Sequence, residues 1–336
     1  MMLALDDPKL KYSGRTWICP DEVWLDWSAC GVELAVTGGT VEAQIDSVDQ
    51  GEGIRVYLGV YLDGVRTKTF YLKTGLHRYA LAENLPDDTV SSVRLVRLTE
   101  ASMGKATLRG LQVTGRLENR PADKPHKIEW LGDSLTCGYG VLEEGNASFK
   151  ACTEDVTKTF AWLCSEALQA DISVVAASGY GVAFHYDGNR EKLIPKMHPH
   201  YNAISRNDSP LWDYSLFRPE LVVVNLGTND YNGGHGTEEG AAEVKEKTRA
   251  FLTALRATYP KATLCWVYGF CGDGYSDALR QAVEEFALID GNAAYIAVPL
   301  QDIPKNGIGA DGHPNVQSNI DCAAYLAPKL RERMNW

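Results

Sequence analysis

The sequence predicts two domains of different fold class, an antiparallel β-sandwich over residues 1–120 and an α/β domain with a parallel sheet over residues 121–336. Before residue 120, apolar and polar residues alternate, which is the period of strands with one buried face. After it, short apolar runs alternate with segments of helical period, which is typical of a parallel sheet covered by helices on both faces. The length of 336 residues is also about twice the ~150 residues typical of one domain.

The first domain is predicted from short apolar runs that are divided by turn residues. In residues 54–62 every second residue is Ile, Val or Leu, and the hairpin signal Asp63-Gly64 follows at once. Shorter runs of the same kind occupy residues 41–45, 70–72, 79–81, 93–98 and 108–113. Because Gly, Pro, Asp and Asn separate these runs, we expect a sandwich of antiparallel strands without a long helix.

A segment rich in proline and charge, residues 116–125, is the predicted linker to the second domain. Beyond it, five strands are predicted from the apolar runs at residues 128–131, 174–177, 221–225, 264–268 and 295–298. Apolar residues recur at helical spacing in residues 160–168, 244–255, 279–287 and 320–330. Pro328 should kink the last helix or restart it.

The charge of the chain bounds its partners. A formal net charge of -11 argues against nucleic acid and against an anionic membrane as the main partner, because both would repel an acidic protein. The first residues lack the basic start and apolar core of a signal peptide, and no segment approaches the ~20 apolar residues of a membrane span. We therefore expect a cytoplasmic protein with a small or neutral substrate, or a secreted one if a leader has been removed.

Neither the cysteines nor the histidines have the spacing of a metal site. The eight cysteines include no CxxC pair and several lie in apolar runs, so we expect reduced and mostly buried thiols. The seven histidines include no HExxH pair. The spacing of these residues therefore predicts no metal site.

Polar segments lie where the second-domain strands are predicted to end. Residues 132–135 read Gly-Asp-Ser-Leu after the first of these strands, and residues 178–181 read Ser-Gly-Tyr-Gly after the second. Residues 227–230 read Gly-Thr-Asn-Asp after the third, and residues 311–315 read Asp-Gly-His-Pro-Asn ahead of the last helix. Ligands of such sheets bind beyond the carboxyl ends of the strands, so we expect these segments to form one site.

Ser134 is the candidate nucleophile of that site. A free serine hydroxyl reacts poorly, so it needs a base that takes its proton and donors that hold the oxyanion. His313 offers an imidazole whose ordinary pKa is ~6.5, and Asn229 offers an uncharged donor. The alternative is that Asp133 or Ser134 only caps the following turn, and we expect Asp133 to order that turn through backbone hydrogen bonds.

Together the four segments resemble the four blocks of the SGNH (GDSL) hydrolase superfamily, over the whole second half of the chain. The resemblance implies a three-layer α/β/α hydrolase domain with Ser134 as nucleophile and His313 as base. It further implies that the Ser134 N–H, Gly179 and the Asn229 amide donate hydrogen bonds to the oxyanion. Gly181 is the second choice for the glycine.

The last segment departs from the usual DxxH spacing of that superfamily, because Asp311 lies two residues before His313. A carboxylate at that spacing reaches the imidazole only if the loop turns sharply, which Gly312 would permit. We therefore expect Asp311 to orient the imidazole through its Nδ1–H. The alternative is a backbone carbonyl in that role, which would leave Ser134 and His313 as a dyad.

The short D-x-H spacing and the preceding sandwich resemble carbohydrate esterase family 2, whose members are two-domain acetylesterases acting on hemicellulose. This resemblance spans nearly the full chain and implies a jelly-roll-like first domain. The implied reaction is removal of O-acetyl groups from mannan- or xylan-type oligosaccharides through an acetyl-enzyme, with the acetylated oligosaccharide as partner and no cofactor. Tyr186 and Phe270, both in loops after strands, are the candidate sugar-binding residues.

Two other functions remain open from the sequence. The same catalytic residues could serve a lipase, lysophospholipase or thioesterase, although the chain has no long amphipathic segment suited to a lid. In the second alternative, the sandwich binds carbohydrate beside an inactive hydrolase domain. Hydrolysis of acetate compared with octanoate esters tests the first alternative, and sugar binding by the first domain tests the second.

Overall fold

The computed structural model describes residues 1–48, 51 and 53–336. The chain divides into two compact units. The first unit consists of Met1–Asp123, Lys150–Cys152 and Tyr201–Ser209, and the second of Lys124–Phe149, Thr153–His200 and Pro210–Trp336. The prediction from sequence did not include the two short later segments in the first domain.

The first unit contains an antiparallel sheet, as predicted. Its strands are β1 (Met2–Leu3), β2 (Lys11–Ser13), β3 (Trp17–Cys19), β4 (Glu22–Trp24), β5 (Gly31–Val48), β6 (Tyr57–Leu62), β7 (Val65–Tyr71), β8 (Gly75–Arg97), β9 (Lys105–Val113) and β10 (Arg116–Leu117). They pair in the order β3-β4-β9-β5-β8-β6-β7, with β1 on β9 and with β2 and β10 on β5. Buried residues alternate with less buried ones along most of β5, as expected for a strand with one face in the core.

The strand β8 differs from the prediction, which divided it into two short strands. Leu85 pairs with Gly39 and Val90 pairs with Thr37, so residues 86–89 form the longest of three irregularities in the pairing with β5. Gly39 has a φ of 73°, a left-handed conformation that lets β5 follow this irregularity. The turn residues in this segment therefore mark a bulge and not the end of a strand.

The second unit contains a parallel sheet with helices between its strands, as predicted. Its strands are β11 (His126–Gly132), β12 (Ala170–Ala176), β13 (Leu221–Asn225), β14 (Thr263–Tyr268) and β15 (Ala293–Ala297), in the order β12-β11-β13-β14-β15. Its helices are α1 (Ser134–Cys137), α2 (Phe160–Ala167), α3 (Ile194–Met197), α4 (Thr228–Gly233), α5 (Glu238–Thr258), α6 (Ser276–Asp290), α7 (Ile303–Asn306) and α8 (Val316–Met334). The helix α8 continues through Pro328 without a restart. Within the described residues, no helix combines the length and the apolar character that crossing a membrane requires.

The register of the parallel sheet aligns the ends of three neighbouring strands. Gly132, the last residue of β11, pairs with Ala176 of β12 on one side and with Asn225 of β13 on the other. All five residues of β13 are buried, as expected for a strand covered on both faces. The loops that follow β12, β11 and β13 therefore emerge side by side at one edge of the sheet.

A buried polar network lies in the core of the second unit, away from the strand ends. Glu129, in the middle of β11, is 0% exposed, and one of its carboxylate oxygens lies 3.1 Å from Nε2 of His198, within hydrogen-bond distance. The Tyr259 hydroxyl donates to the same carboxylate oxygen at 2.7 Å, and the Ser173 hydroxyl donates to the other oxygen at 3.3 Å. These bonds compensate the desolvation of the carboxylate.

Removing His198 should destabilise the fold. We expect His198→Ala to lower the free energy of unfolding by about 3 kcal/mol, because Glu129 then stays buried without its imidazole hydrogen-bond partner and a cavity forms. We expect Tyr259→Phe, which removes one hydroxyl, to cost only about 1 kcal/mol. Urea unfolding followed by circular dichroism measures both values. Equal and small effects of the two substitutions would contradict this account of the network.

Candidate active site

Three adjacent strands deliver the predicted site residues to one edge of the sheet. Ser134 is the first residue of α1, directly after β11, and Asn229 lies in the first turn of α4, directly after β13. Gly179 lies in the turn that follows β12. Since β11 is flanked by β12 and β13, these three residues converge from neighbouring positions.

The predicted nucleophile and base are in hydrogen-bond contact. The Nε2 atom of His313 lies 2.8 Å from the Oγ atom of Ser134. On the other side of the ring, Nδ1 lies 3.1 Å from the Ala310 carbonyl oxygen and 3.3 Å from that of Asp311. A carbonyl oxygen only accepts hydrogen bonds, so Nδ1 carries the proton and Nε2 is free to accept one from Ser134.

The protonation state of His313 suits a base. Burial lowers the pKa of His313 below its ordinary value, because a desolvated imidazolium is disfavoured. The two carbonyl contacts and the nearby Asp311 charge oppose that effect without cancelling it. The ring is therefore mainly neutral, and able to accept a proton, at neutral pH.

The predicted carboxylate contact between Asp311 and His313 is contradicted by the structure. The Asp311 carboxylate instead accepts hydrogen bonds from the Tyr139 hydroxyl at 3.0 Å and from the Phe149 N–H at 2.9 Å. The reason is the backbone of Asp311, whose left-handed conformation (φ 46°, ψ 41°) lets its own carbonyl approach the imidazole while its side chain binds the neighbouring loop. The alternative, a backbone carbonyl as partner of His313, is what the structure contains.

The backbone N–H groups of Ser134 and Gly179 are available to bind a substrate oxygen. Within the described part of the chain, neither the Ser134 N–H nor the Gly179 N–H donates to a protein acceptor. Gly179 has a φ of 84°, and a Cβ at this position would lie 2.6 Å from Nε2 of His185, so only glycine fits. Gly181, the second choice, packs against Asp230, where a Cβ would lie 2.6 Å from the carboxyl carbon.

The third predicted donor, the Asn229 amide, is held by two acceptors. Its Nδ2 atom donates to the Tyr180 carbonyl at 2.9 Å and to the Asp133 carboxylate at 3.3 Å. The second bond is long, so that N–H can be shared with a closer acceptor such as a substrate oxygen. Asp133 also accepts from the Leu135 N–H at 3.0 Å, so it orders the serine turn as predicted.

The two candidate sugar-binding residues differ in their placement. Tyr186 is 58% exposed, and its N–H donates to the Gly179 carbonyl at 2.9 Å, so its side chain lies at the rim of the site. Its role in sugar binding stays a prediction. Phe270 is only 3% exposed and packs edge-on against Phe160 with ring centroids 5.6 Å apart. This burial argues against an open face for a sugar ring, and the role of Phe270 in sugar binding stays a prediction.

Two half-buried aromatic residues beside His313 were missed from the sequence. The rings of Tyr139 and Phe149 stack with centroids 4.0 Å apart, and the Tyr139 ring lies 4.4 Å from the imidazole. A signal for Tyr139 was present, because it follows Gly138, the glycine that ends the short helix after the serine. No comparable sequence pattern marks Phe149.

Comparison with known proteins agrees with this architecture. Residues 12–121 match the family model Carbohydrate esterase 2 N-terminal, and residues 130–318 match that of the GDSL-like Lipase/Acylhydrolase family. The chain is 28% identical over 347 residues to Cellulase/esterase CelE of Acetivibrio thermocellus, covering 98% of this chain and 40% of that protein. It is 24% identical over 349 residues to an acetylxylan esterase / glucomannan deacetylase of Cellvibrio japonicus, covering 99% of this chain and 91% of that protein. The chain thus spans less than half the length of the first relative.

Solved structures show the same fold. An acetyl xylan esterase, Est2A, from the rumen bacterium Butyrivibrio proteoclasticus is similar with a TM-score of 0.92 at 21% identity, covering 100% of this chain and 98% of that one. A family two carbohydrate esterase from Clostridium thermocellum, in complex with cellohexaose, gives a TM-score of 0.88 at 25% identity, covering 97% and 99%. The chain therefore belongs to the GDSL-like lipase/acylhydrolase family and has the two-domain organisation of the family 2 carbohydrate esterases.

Proposed function

We propose that this chain is a serine esterase that removes O-acetyl groups from hemicellulose-derived oligosaccharides of the mannan or xylan type. The observation that carries the proposal is the 2.8 Å contact between Ser134 Oγ and His313 Nε2, beside two unoccupied backbone donors. Membership of the family and the acetylxylan esterase and glucomannan deacetylase relatives support the acyl group and the substrate class. The net charge of -11 fits a neutral sugar chain better than an anionic partner.

In this mechanism the Ser134 oxygen attacks the acetyl carbonyl carbon while His313 Nε2 takes the hydroxyl proton. The carbonyl oxygen becomes an oxyanion and accepts hydrogen bonds from the N–H groups of Ser134 and Gly179 and from the Asn229 amide. The C–O bond to the sugar then breaks, and the imidazolium returns its proton to the sugar oxygen. Water repeats the sequence on the acetyl-enzyme, with His313 as base, and releases acetate and free Ser134.

The carbonyl oxygens of Ala310 and Asp311 complete the mechanism as acceptors. When His313 becomes an imidazolium, its Nδ1–H bond to these oxygens strengthens, because the donor now carries charge. A dipole stabilises this charge less than a carboxylate would, but it also fixes the tautomer. Ser134 and His313 therefore act as a dyad with backbone support.

The acyl group is tested by comparing kcat/KM for 4-nitrophenyl acetate and 4-nitrophenyl octanoate, and the sugar by nuclear magnetic resonance of acetylated manno- and xylo-oligosaccharides during digestion. We expect the acetate to be preferred and the sugar acetyl signals to be lost. A preference for the octanoate, with intact sugar acetates, would overturn the proposal in favour of a lipase-type activity.

The pH profile should reflect the environment of His313. Only the neutral imidazole accepts the serine proton, and burial lowers its pKa, so the acid limb of kcat/KM should have its midpoint below 6.5. Activity is then retained as the pH falls to 6.5 and is lost below that midpoint. The measurement is kcat/KM for 4-nitrophenyl acetate between pH 4 and 8. A midpoint above 7 would contradict this assignment.

Replacing the acid at position 311 should have a small effect. We expect Asp311→Asn to lower kcat/KM by less than about tenfold, because the side chain does not contact His313 and an amide oxygen can still accept from Phe149 N–H. The comparison is His313→Ala, measured with the same acetyl ester. If the two losses were equal, the Asp311 carboxylate would be a full member of a triad.

A further inference from the structure

Two buried carboxyl groups lie directly behind the oxyanion donors, and the mechanism above uses neither. Asp133 is 1% exposed and precedes Ser134 in the chain, and Asp230 is 0% exposed and follows Asn229. A buried carboxylate is costly unless its oxygens are hydrogen-bonded. Their bonding partners therefore indicate what the two groups hold in place.

Asp133 joins the nucleophile turn to the amide donor. One of its carboxylate oxygens accepts from the Leu135 N–H at 3.0 Å, which fixes the first turn of α1. The other oxygen accepts from Nδ2 of Asn229 at 3.3 Å. The same amide also donates to the Tyr180 carbonyl at 2.9 Å, so two acceptors fix its orientation before substrate arrives.

Asp230 joins the helix that carries Asn229 to the loop that carries Gly179. One of its oxygens accepts from the N–H groups of Val182, Ala183 and Phe184 at 3.0, 2.7 and 2.8 Å. These residues follow Gly179 by only three to five positions. The Asp230 side chain thereby ties the loop after β12 to α4, the helix after β13.

The charged forms of these groups oppose folding. Burial, and then the neighbouring Asp230 carboxyl, raise the pKa of Asp133 to about 7. Burial raises the pKa of Asp230 to about 6, although its N–H partners act in the opposite direction. A carboxyl whose pKa is raised on folding stabilises the fold below its unfolded pKa and loses that contribution as the pH rises through the folded value. At pH 8 both carboxyls are therefore unfavourable for stability, which is a feature of functional sites.

We propose that Asp133 and Asp230 are positioning residues that set the spacing of the three oxyanion donors. Asp133 fixes the Asn229 amide relative to the Ser134 N–H, and Asp230 fixes the Gly179 loop relative to Asn229. The inference rests on the proposed esterase function, because it assigns these acids to the same reaction. Neither acid touches the substrate or exchanges a proton with it.

The decisive test for Asp133 is a double-mutant cycle with Asn229. In Asp133→Asn one oxygen remains for two competing donors, so the Asn229 amide loses its fixed orientation. We expect kcat for 4-nitrophenyl acetate to fall about tenfold while KM changes less than about twofold. In the Asn229→Ala background, the same substitution should cause no further loss, because the remaining oxygen then serves the Leu135 N–H without a competing donor. Independent losses that multiply would overturn the assignment.

The positioning role of Asp230 is tested by two substitutions that remove one or both of its carboxylate oxygens. Asp230→Asn keeps an oxygen that can accept from the loop N–H groups, whereas Asp230→Ala keeps none. We expect kcat to fall only a few-fold in the first variant and about thirtyfold or more in the second, with KM nearly unchanged in both. Equal activity of the two variants would contradict the positioning role of Asp230. If Asp230→Ala does not fold, the cycle on Asp133 still decides the proposal.

Melting temperatures separate positioning from simple stabilisation. At pH 8 we expect Asp133→Asn to melt no lower than the unsubstituted protein, since it removes a buried charge, while its kcat is reduced. The matched control is Tyr259→Phe, which should lower the melting temperature and leave kcat unchanged. A lower melting temperature with unchanged kcat in Asp133→Asn would overturn the inference. An unsubstituted protein without acetylesterase activity would instead overturn the proposed function.

Discussion

Replacing Ser134 by alanine is expected to lower kcat/KM for 4-nitrophenyl acetate by about a thousandfold or more, with the fold intact. The hydroxyl is the atom that forms the new bond to the acetyl carbon, so its removal leaves only the oxyanion donors to assist attack by water. His313→Ala should cause a loss of similar size, because the serine then has no base within hydrogen-bond reach. Removing one member of a pair that acts together costs nearly as much as removing both.

The controls for this pair distinguish chemistry from folding. Ser215→Ala, which alters an exposed serine of the same unit, should leave kcat/KM unchanged. Added imidazole should restore part of the activity of His313→Ala and none of that of Ser134→Ala, since it replaces a base but not a nucleophile. If Ser134→Ala retained a tenth of the activity or more, another residue would have to be the nucleophile.

Asn229→Ala is expected to lower kcat by about a hundred- to a thousandfold with little change in KM. The amide donates to an oxygen whose full negative charge exists only in the transition state, so its loss affects the chemical step more than substrate binding. This corresponds to roughly 3–4 kcal/mol of transition-state stabilisation. Initial rates over a range of 4-nitrophenyl acetate concentrations separate the two constants.

The structure offers a control on the same helix. Asn232 lies in α4 three residues beyond Asn229 and is exposed, so Asn232→Ala should leave both kcat and KM unchanged. If Asn229→Ala raised KM and left kcat unaltered, the amide would bind the ground state of the substrate. In that case the oxyanion would be stabilised by the two backbone donors alone.

The sequence predicts two kinds of feature best. They are the strands, which the spacing of apolar residues marks, and the site residues that directly follow a strand. The polar segments containing Ser134 and Asn229 follow runs of apolar residues, and a parallel sheet brings the ends of such runs together. The antiparallel first unit is predicted from the alternation of apolar and polar residues, which the burial of side chains along most of β5 matches.

The parts that sequence could not give depend on the conformation of single residues. The direction of the Asp311 carboxylate follows from one left-handed φ angle, which no pattern of residue types specifies. Phe270 lies after a strand, like a binding residue, but the packing of Phe160 against it decides its burial. Asp133 binds Asn229, and Asp230 binds Ala183, across distances of 96 and 47 residues in the sequence, so only the folded chain shows these contacts.

A peptide carbonyl as the partner of the catalytic imidazole has a consequence for how the enzyme responds to its surroundings. An amide oxygen does not titrate in the range where proteins stay folded, so acidification cannot neutralise it, and it has no counter-ion to be displaced by salt. Its alignment depends on the left-handed turn before the ring and not on a mobile side chain. The dyad is therefore expected to tolerate acid and ionic strength until the imidazole itself becomes protonated.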